Sequence, residues 1–169
     1  MEIERKFLVS ELPDSYQSLP FHQIEQAYLC TEPVVRIRRQ DDEYFLTYKG
    51  KGLLAREEYN LPLTKEAYRH LLSKADGVIL TKKRYLLPLK QAGAGGRDLT
   101  LELDVFEGSY QGLILAEVEF SSKEEAMAFV PPAWLGEDVT FSSDYHNSRL
   151  SQGFFPNVLC RTDNKPDRQ

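Results

Sequence analysis

Leu115-Ala116-Glu117-Val118-Glu119-Phe120 alternates apolar and acidic residues without a break. Side chains of a β-strand point alternately to opposite faces, so Glu117 and Glu119 share one face and Ala116, Val118 and Phe120 the other. The same period of two recurs in both directions along the chain. Strands are expected over 2–9, 23–30, 33–40, 43–50, 54–61, 78–88, 98–107 and 113–121. Outside these, Thr64 and Ser122 are N-cap candidates for helices over 64–76 and 122–130, with Glu125 completing a capping box and Gly77 as the first helix's stop. A third short helix is expected over 145–152. Gly50-Lys51-Gly52 reads as a hairpin connection, and the glycine run in Gln91–Gly96 as a floppy hairpin loop.

The charges fall on one face of seven strands. Glu2, Glu4 and Lys6 oppose Ile3 and Phe7, and Arg36 and Arg38 oppose Val35 and Ile37. Thr47 and Lys49 oppose Leu46 and Tyr48, while Arg56, Glu58 and Asn60 oppose Tyr59 and Leu61. Lys82 and Arg84 oppose Tyr85 and Leu87, and Glu102 and Asp104 oppose Leu101 and Leu103. A solvated face of an antiparallel sheet carries mixed polar residues. These faces instead repeat Arg-x-Arg, Lys-x-Arg and Glu-x-Glu, pairs that repel unless opposite charge lies between them. Arg, with its planar fork suited to phosphate, supplies four of the basic positions.

Closing the strands into a barrel with the charged faces inside resolves the repulsion. An eight-stranded barrel has room inside for side chains or one small ligand. Lys6, Arg36, Arg38, Lys49, Arg56, Lys82 and Arg84 would supply seven positive charges. Glu2, Glu4, Glu58, Glu102, Asp104, Glu117 and Glu119 would supply seven negative ones. The carboxylates suit hard divalent cations such as Mg²⁺ or Mn²⁺. Two such ions leave a surplus of roughly +4, which a triphosphate of about −4 to −5 would balance. The expected fold class is α+β and β-dominated: an eight-stranded antiparallel barrel, or tunnel, with a charged lumen and a few flanking helices.

The chain of 169 residues, 41% apolar and 28% charged, has material for one core. One domain is expected over 1–155, followed by a polar, frayed tail over 156–169. A net charge of −5 argues against nucleic acid as a partner. No apolar run is long enough to span a membrane. The early acids Glu2 and Glu4 argue against a secretory signal. Cys30 and Cys160 read as free thiols of a reducing cytosol, so a cytoplasmic location is expected. Three scattered histidines form no histidine-rich metal motif.

The ordered motifs resemble the CYTH superfamily, the triphosphate tunnel metalloenzymes, and most of all its small bacterial inorganic triphosphatases. Met1–Val9 is similar to the family's E-x-E-x-K signature. Ile24–Leu29, Val35–Arg38, Leu46–Gly50, Arg56–Tyr59, Lys82–Tyr85, Leu101–Phe106, Leu115–Phe120 and Trp134–Thr140 follow in order, so the likeness spans residues 1 to about 152. The resemblance implies an antiparallel tunnel that acts on triphosphates with a divalent metal, Mg²⁺ or Mn²⁺ and two ions. It implies metal ligands at Glu2, Glu4, Glu117 and Glu119, assisted by Glu102 and Asp104. It implies phosphate binding at Lys6, Arg36, Arg38, Lys49, Lys82 and Arg84, with Arg56 a weaker member. Lys6, Glu4 and Arg38 are the residues expected to carry turnover. Asn60, Ser142 and Asp144 depart from the family pattern, and a C-terminal helix is expected to plug or line one tunnel mouth.

The expected reaction is hydrolysis of inorganic triphosphate to pyrophosphate and phosphate. The alternatives are a class IV adenylate cyclase, a thiamine triphosphatase, and a polyphosphate- or nucleotide-binding module without turnover. A carrier of the lipocalin type would need an apolar lumen, the opposite of this pattern. The expected partner is the small-molecule triphosphate, and a homodimer is compatible with the sequence.

Overall fold

The computed structural model describes residues 1–156; the expected tail, from residue 157 on, and Cys160 with it, lie outside the described residues. Among the described residues ten strands run β1 (Glu2–Val9), β2 (Phe21–Thr31), β3 (Val34–Gln40), β4 (Glu43–Lys49), β5 (Ala55–Arg56), β6 (Glu58–Pro62), β7 (Asp76–Leu89), β8 (Leu99–Glu107), β9 (Ile114–Glu119) and β10 (Leu135–Asp138). Three α-helices join them: α1 (Lys65–Leu72), α2 (Lys123–Ala128) and α3 (Asn147–Ser151). All strand pairs are antiparallel, in the order β10-β1-β9-β8-β7-β2-β3-β4-β6.

Ten strands replace the expected eight for two reasons. Leu135–Asp138 adds a short strand beside β1. The expected fifth strand is split at Glu57. Its first part, β5, pairs with β1 through Glu2 opposite Arg56, and its second, β6, pairs with β4. The chain thus crosses from one edge of the sheet to the other within a few residues. That crossing closes the barrel.

The outer face of the barrel is apolar and covered. Phe7, Leu101, Leu103, Ala116 and Val118 pack with Ala126 and Phe129 of the α2 segment. Ala27 and Ile37 pack beneath Tyr68 of α1. Thr64 and Ser122 cap α1 and α2 as expected, accepting from the backbone N–H groups of Ala67 and Glu125. The residue 91–97 loop is not floppy. The buried Glu125 carboxylate accepts from Ala94 N at 2.9 Å and from Arg97 Nη2 at 2.8 Å, pinning it.

Gly77 does not stop α1, which ends at Leu72 with Ser73 as its C-cap. It lies in β7 at φ +70°, where a Cβ would come within 2.1 Å of the Ser151 carbonyl oxygen. Only glycine lets α3 dock there. The docked helix drives Leu150 into the barrel among Leu8, Leu80, Phe106, Leu113 and Leu115, all buried. These residues continue the charged faces of their strands, so the lumen is charged at one end and filled with apolar side chains at the other.

Candidate active site

The charged end of the barrel holds a cavity of about 450 Å³. Glu2, Glu4, Lys6, Arg36, Arg38, Lys49, Arg56, Glu58, Lys82, Arg84, Glu102, Glu117 and Glu119 all line it. Thirteen of the fourteen charges expected inside therefore face one space. The exception is Asp104. Its side chain is 1% exposed, beneath the lining, and both oxygens are engaged by Lys82 and Arg84.

The strand order divides the wall by charge. β1, β9 and β8 bring five of the lining carboxylates; β7, next to β8, brings Lys82 and Arg84, and β3 and β4, farther round the ring, bring Arg36, Arg38 and Lys49. Glu4 stands directly opposite Glu119 in the β1–β9 register, and Glu102 directly opposite Glu117 in β8–β9. Like charges placed this way disfavour the folded state. The protein offsets them with cations. Lys6 Nζ lies 2.8 Å from Glu117, and Lys49 Nζ lies 2.7 Å from Glu2 and 2.9 Å from Glu58. Arg84 reaches Glu102 and, at 2.6 Å each, Asp104 and Glu117. Arg56 touches Glu2 and Glu4 more loosely, at 3.4 and 3.5 Å. Arg36 and Arg38 have no ion pair among the described residues, and the Nε of each has no hydrogen-bond partner.

The titration of these groups reflects the crowding. The Glu2 carboxyl is pushed up to about 7 by burial and by the neighbouring Glu4. Burial alone would raise Glu117 as well, but Lys6, Arg84 and Lys82 outweigh it and hold it well below the usual carboxylate range. Burial lowers Lys82 to about 8 despite Asp104, and burial with Arg36 and Arg84 lowers Arg38 to about 10.

Glu2, Glu4, Glu102, Glu117 and Glu119 form an all-oxygen donor set facing a wet space, and two of their pairings are carboxylate against carboxylate. That chemistry fits a hard divalent cation. No metal cluster is already gathered among the described residues; most of the carboxylates are turned onto the lumen's own cations instead. Of the departures from the family pattern, Asn60 has a local task. It accepts from Thr47 Oγ1 and donates to Glu58, holding that carboxylate toward Lys49. Asp144 is exposed.

Several lining residues were not legible as site residues. Gln26, His22, Gln40, His146 and Asn147 also line the cavity. His146 enters from the segment leading into α3 and is held neutral, at about 4, by burial and by Lys6 and Arg56. The period-two pattern reads charges on strands, and it has no signal for a lone histidine arriving from a loop. Tyr28 lines the cavity as well.

An antiparallel barrel whose lumen sets an acidic wall against a basic one is a polyanion-and-cation pocket. The CYTH domain model matches residues 1–152, and the chain belongs to the CYTH family. An inorganic triphosphatase from Nitrosomonas europaea is 39% identical over 154 residues, covering 89% of this chain and 96% of the relative. An inorganic triphosphatase from Acetivibrio thermocellus is 33% identical over 164 residues, covering 92% and 96%. Among solved structures, a crystal structure of an inorganic triphosphatase is 37% identical, with a TM-score of 0.65 over 90% of this chain and 95% of that one. A candidate adenylate cyclase from Bacillus halodurans shares the fold at 18% identity and a TM-score of 0.55, covering 78% and 93%.

Proposed function

We propose that this protein hydrolyses inorganic triphosphate to pyrophosphate and orthophosphate, with a divalent cation as cofactor. The carrying observation is the divided lumen: Arg36 and Arg38, without ion pairs among the described residues, across a cavity of about 450 Å³ from carboxylates placed against one another. Both inorganic triphosphatase relatives match nearly the full chain, which supports the same reaction here.

Glu2, Glu4, Glu117 and Glu119, with Glu102 beside them, would hold the metal, which we take to be two Mg²⁺ or Mn²⁺ ions. When bound, the ions supply charge neutralisation of the phosphate oxygens and acidify the attacking water. Arg36 and Arg38 grip the phosphates distal to the carboxylates through forked contacts. Lys6 and Lys49 exchange carboxylate partners for phosphate oxygens as the ligand enters, Arg84 gives up Glu102 and Glu117 while keeping Asp104, Lys82 adds a phosphate contact to its Asp104 pair, and Arg56 joins them from the seam of the barrel. Lys6, next to Glu4 on the lumen face, neutralises the charge that develops as the P–O bond stretches. Asp104 is moved from the expected metal ligands to an orienting part. It is buried beneath the cavity wall, with both oxygens holding Lys82 and Arg84 in place.

The lining is mainly charged, with Ile24, Tyr28, Val34 and Leu86 its apolar members. Binding energy then comes from the phosphates, and a nucleoside adds little. We take residues 1–155 to work as one tunnel domain in the cytoplasm, consistent with the exposed free thiol of Cys30. No helix among the described residues is long and apolar enough to cross a membrane. The test is product analysis with inorganic triphosphate, ATP, thiamine triphosphate and pyrophosphate, each with Mg²⁺ or Mn²⁺. Orthophosphate released with highest kcat/KM from inorganic triphosphate is expected. Cyclic AMP as the main product from ATP, with no orthophosphate from triphosphate, would overturn the reading.

A further inference from the structure

β2 is the strand that the charge pattern skips. Its lumen face reads Ile24, Gln26, Tyr28, and it runs between β7, bearing Lys82 and Arg84, and β3, bearing Arg36 and Arg38. Gln26 stands opposite Arg38 in the β2–β3 register and opposite Leu80 in β2–β7. Its side chain is 1% exposed and lines the cavity, and its Nε2 has no hydrogen-bond partner among the described residues.

A buried amide donor left unpaired costs stability, so an apolar residue of similar size would serve the empty protein better. Gln26 Nε2 is not alone. Arg36 Nε and Arg38 Nε, on the neighbouring strand, are also buried and unpartnered. Three unpartnered donors at neighbouring positions describe a surface shaped for an oxyanion. Building on the triphosphate reading above, we infer that Gln26 is a substrate-binding residue whose Nε2 donates to a non-bridging oxygen of the phosphate group held by Arg36 and Arg38.

The position calls for a neutral donor. A carboxylate there would pair with Arg38 and repel the ligand. A further cation would add to the repulsion among Arg36, Arg38 and Arg84, which already makes Arg38 easier to deprotonate. An amide adds a contact without either cost. β2 also lies across the ring from β1 and β9, whose carboxylates we assign to the metal. The Gln26 contact is therefore made equally in the ground state and the transition state, and its loss raises KM rather than lowering kcat.

The experiment compares wild type, Gln26→Met and Gln26→Glu, with Arg38→Ala as a control. It measures kcat and KM for inorganic triphosphate with Mg²⁺, and the melting temperature of metal-free protein with and without triphosphate. Gln26→Met is expected to raise KM by about tenfold, the worth of one hydrogen bond to a charged group, with kcat within about twofold of wild type. Its unliganded melting temperature should equal or exceed wild type, and its gain in melting temperature from triphosphate should shrink. Gln26→Glu should weaken triphosphate more severely. Should Gln26→Met fail to fold, Gln26→Leu takes its place with the same expectation. A Gln26→Met protein with wild-type KM and wild-type stabilisation by triphosphate overturns the assignment, as does a loss confined to kcat. If wild type itself neither turns over triphosphate nor is stabilised by it, the functional reading falls and the Gln26 assignment with it. If only the Gln26 variants behave as wild type while Arg38→Ala is impaired, the Gln26 assignment alone falls.

Discussion

Glu4 and Glu119 stand directly opposite one another across the β1–β9 ladder, and both face the cavity. Among the described residues Glu4 has a single ion pair, with Arg56 at 3.5 Å, and Glu119 has none. Directly opposed like charges cost roughly 0.2–1 kcal/mol. Glu119→Gln should therefore raise the melting temperature of the metal-free protein slightly, by about 1–3 °C. The same substitution should remove the stabilisation that Mg²⁺ or Mn²⁺ confers and reduce turnover at least about a hundredfold, the scale of losing one electrostatic group in a catalytic centre. Melting curves with and without metal, beside steady-state rates, check it. Wild-type stabilisation by metal in the variant would exclude Glu119 as a ligand.

The Glu2 carboxyl, raised to about 7 by burial and by Glu4, sets a pH dependence. It is protonated and neutral below that value, while Glu58, its hydrogen-bonded neighbour, carries the negative charge. Its folded-state value lies above the ordinary one, so stability of the metal-free protein falls as pH rises from the usual carboxylate range towards 7. Metal affinity moves the other way. It should climb as pH rises through about 7 and level off above, with the dependence flattened in Glu2→Gln. Calorimetric titration of Mn²⁺ at pH 6, 7 and 8 decides; equal affinity at all three would contradict the assignment.

Arg38→Lys keeps a positive charge but loses the fork. Arg38 lines the cavity with no ion pair among the described residues, its guanidinium over the Phe45 ring and its Nε unpartnered, so its charge is free for the ligand. A fall in kcat/KM of roughly tenfold or more is expected, equivalent to one charge-assisted hydrogen bond of about 1.5–3 kcal/mol. Kinetics equal to wild type would mean that a point charge suffices.

Leu150 is fully buried in the apolar end of the barrel. Leu150→Ala should cost about 2–5 kcal/mol, because the surrounding strands cannot collapse into the gap. Denaturant melts measure the loss. A cost below about 1 kcal/mol would show that α3 does not hold that end of the barrel.

Much of this architecture is a property of local sequence. Alternation in Leu115–Phe120 and its counterparts reports which side chains share a face, because successive strand residues point in opposite directions whatever the strand pairs with. Thr64 and Ser122 report helix starts because capping involves only the next three residues. Hence the barrel, its charged lumen and the thirteen charged strand residues that line it could be read from the chain alone.

Tertiary structure decided what depends on residues far apart in the chain. The split at Glu57 arises because the chain there must serve both edges of the sheet, and edge partners are chosen only when the barrel closes. Asp104 left the lining because Lys82 and Arg84, brought beside it by β7, take both its oxygens, and Gly77 admits the α3 plug by lacking a side chain. Gln26 and His146 entered the cavity by position rather than by pattern: one is neutral on a strand without charges, the other comes from a loop. Periodicity records the face on which a side chain lies; depth along the lumen and the partner it meets there follow from register and closure, which are non-local.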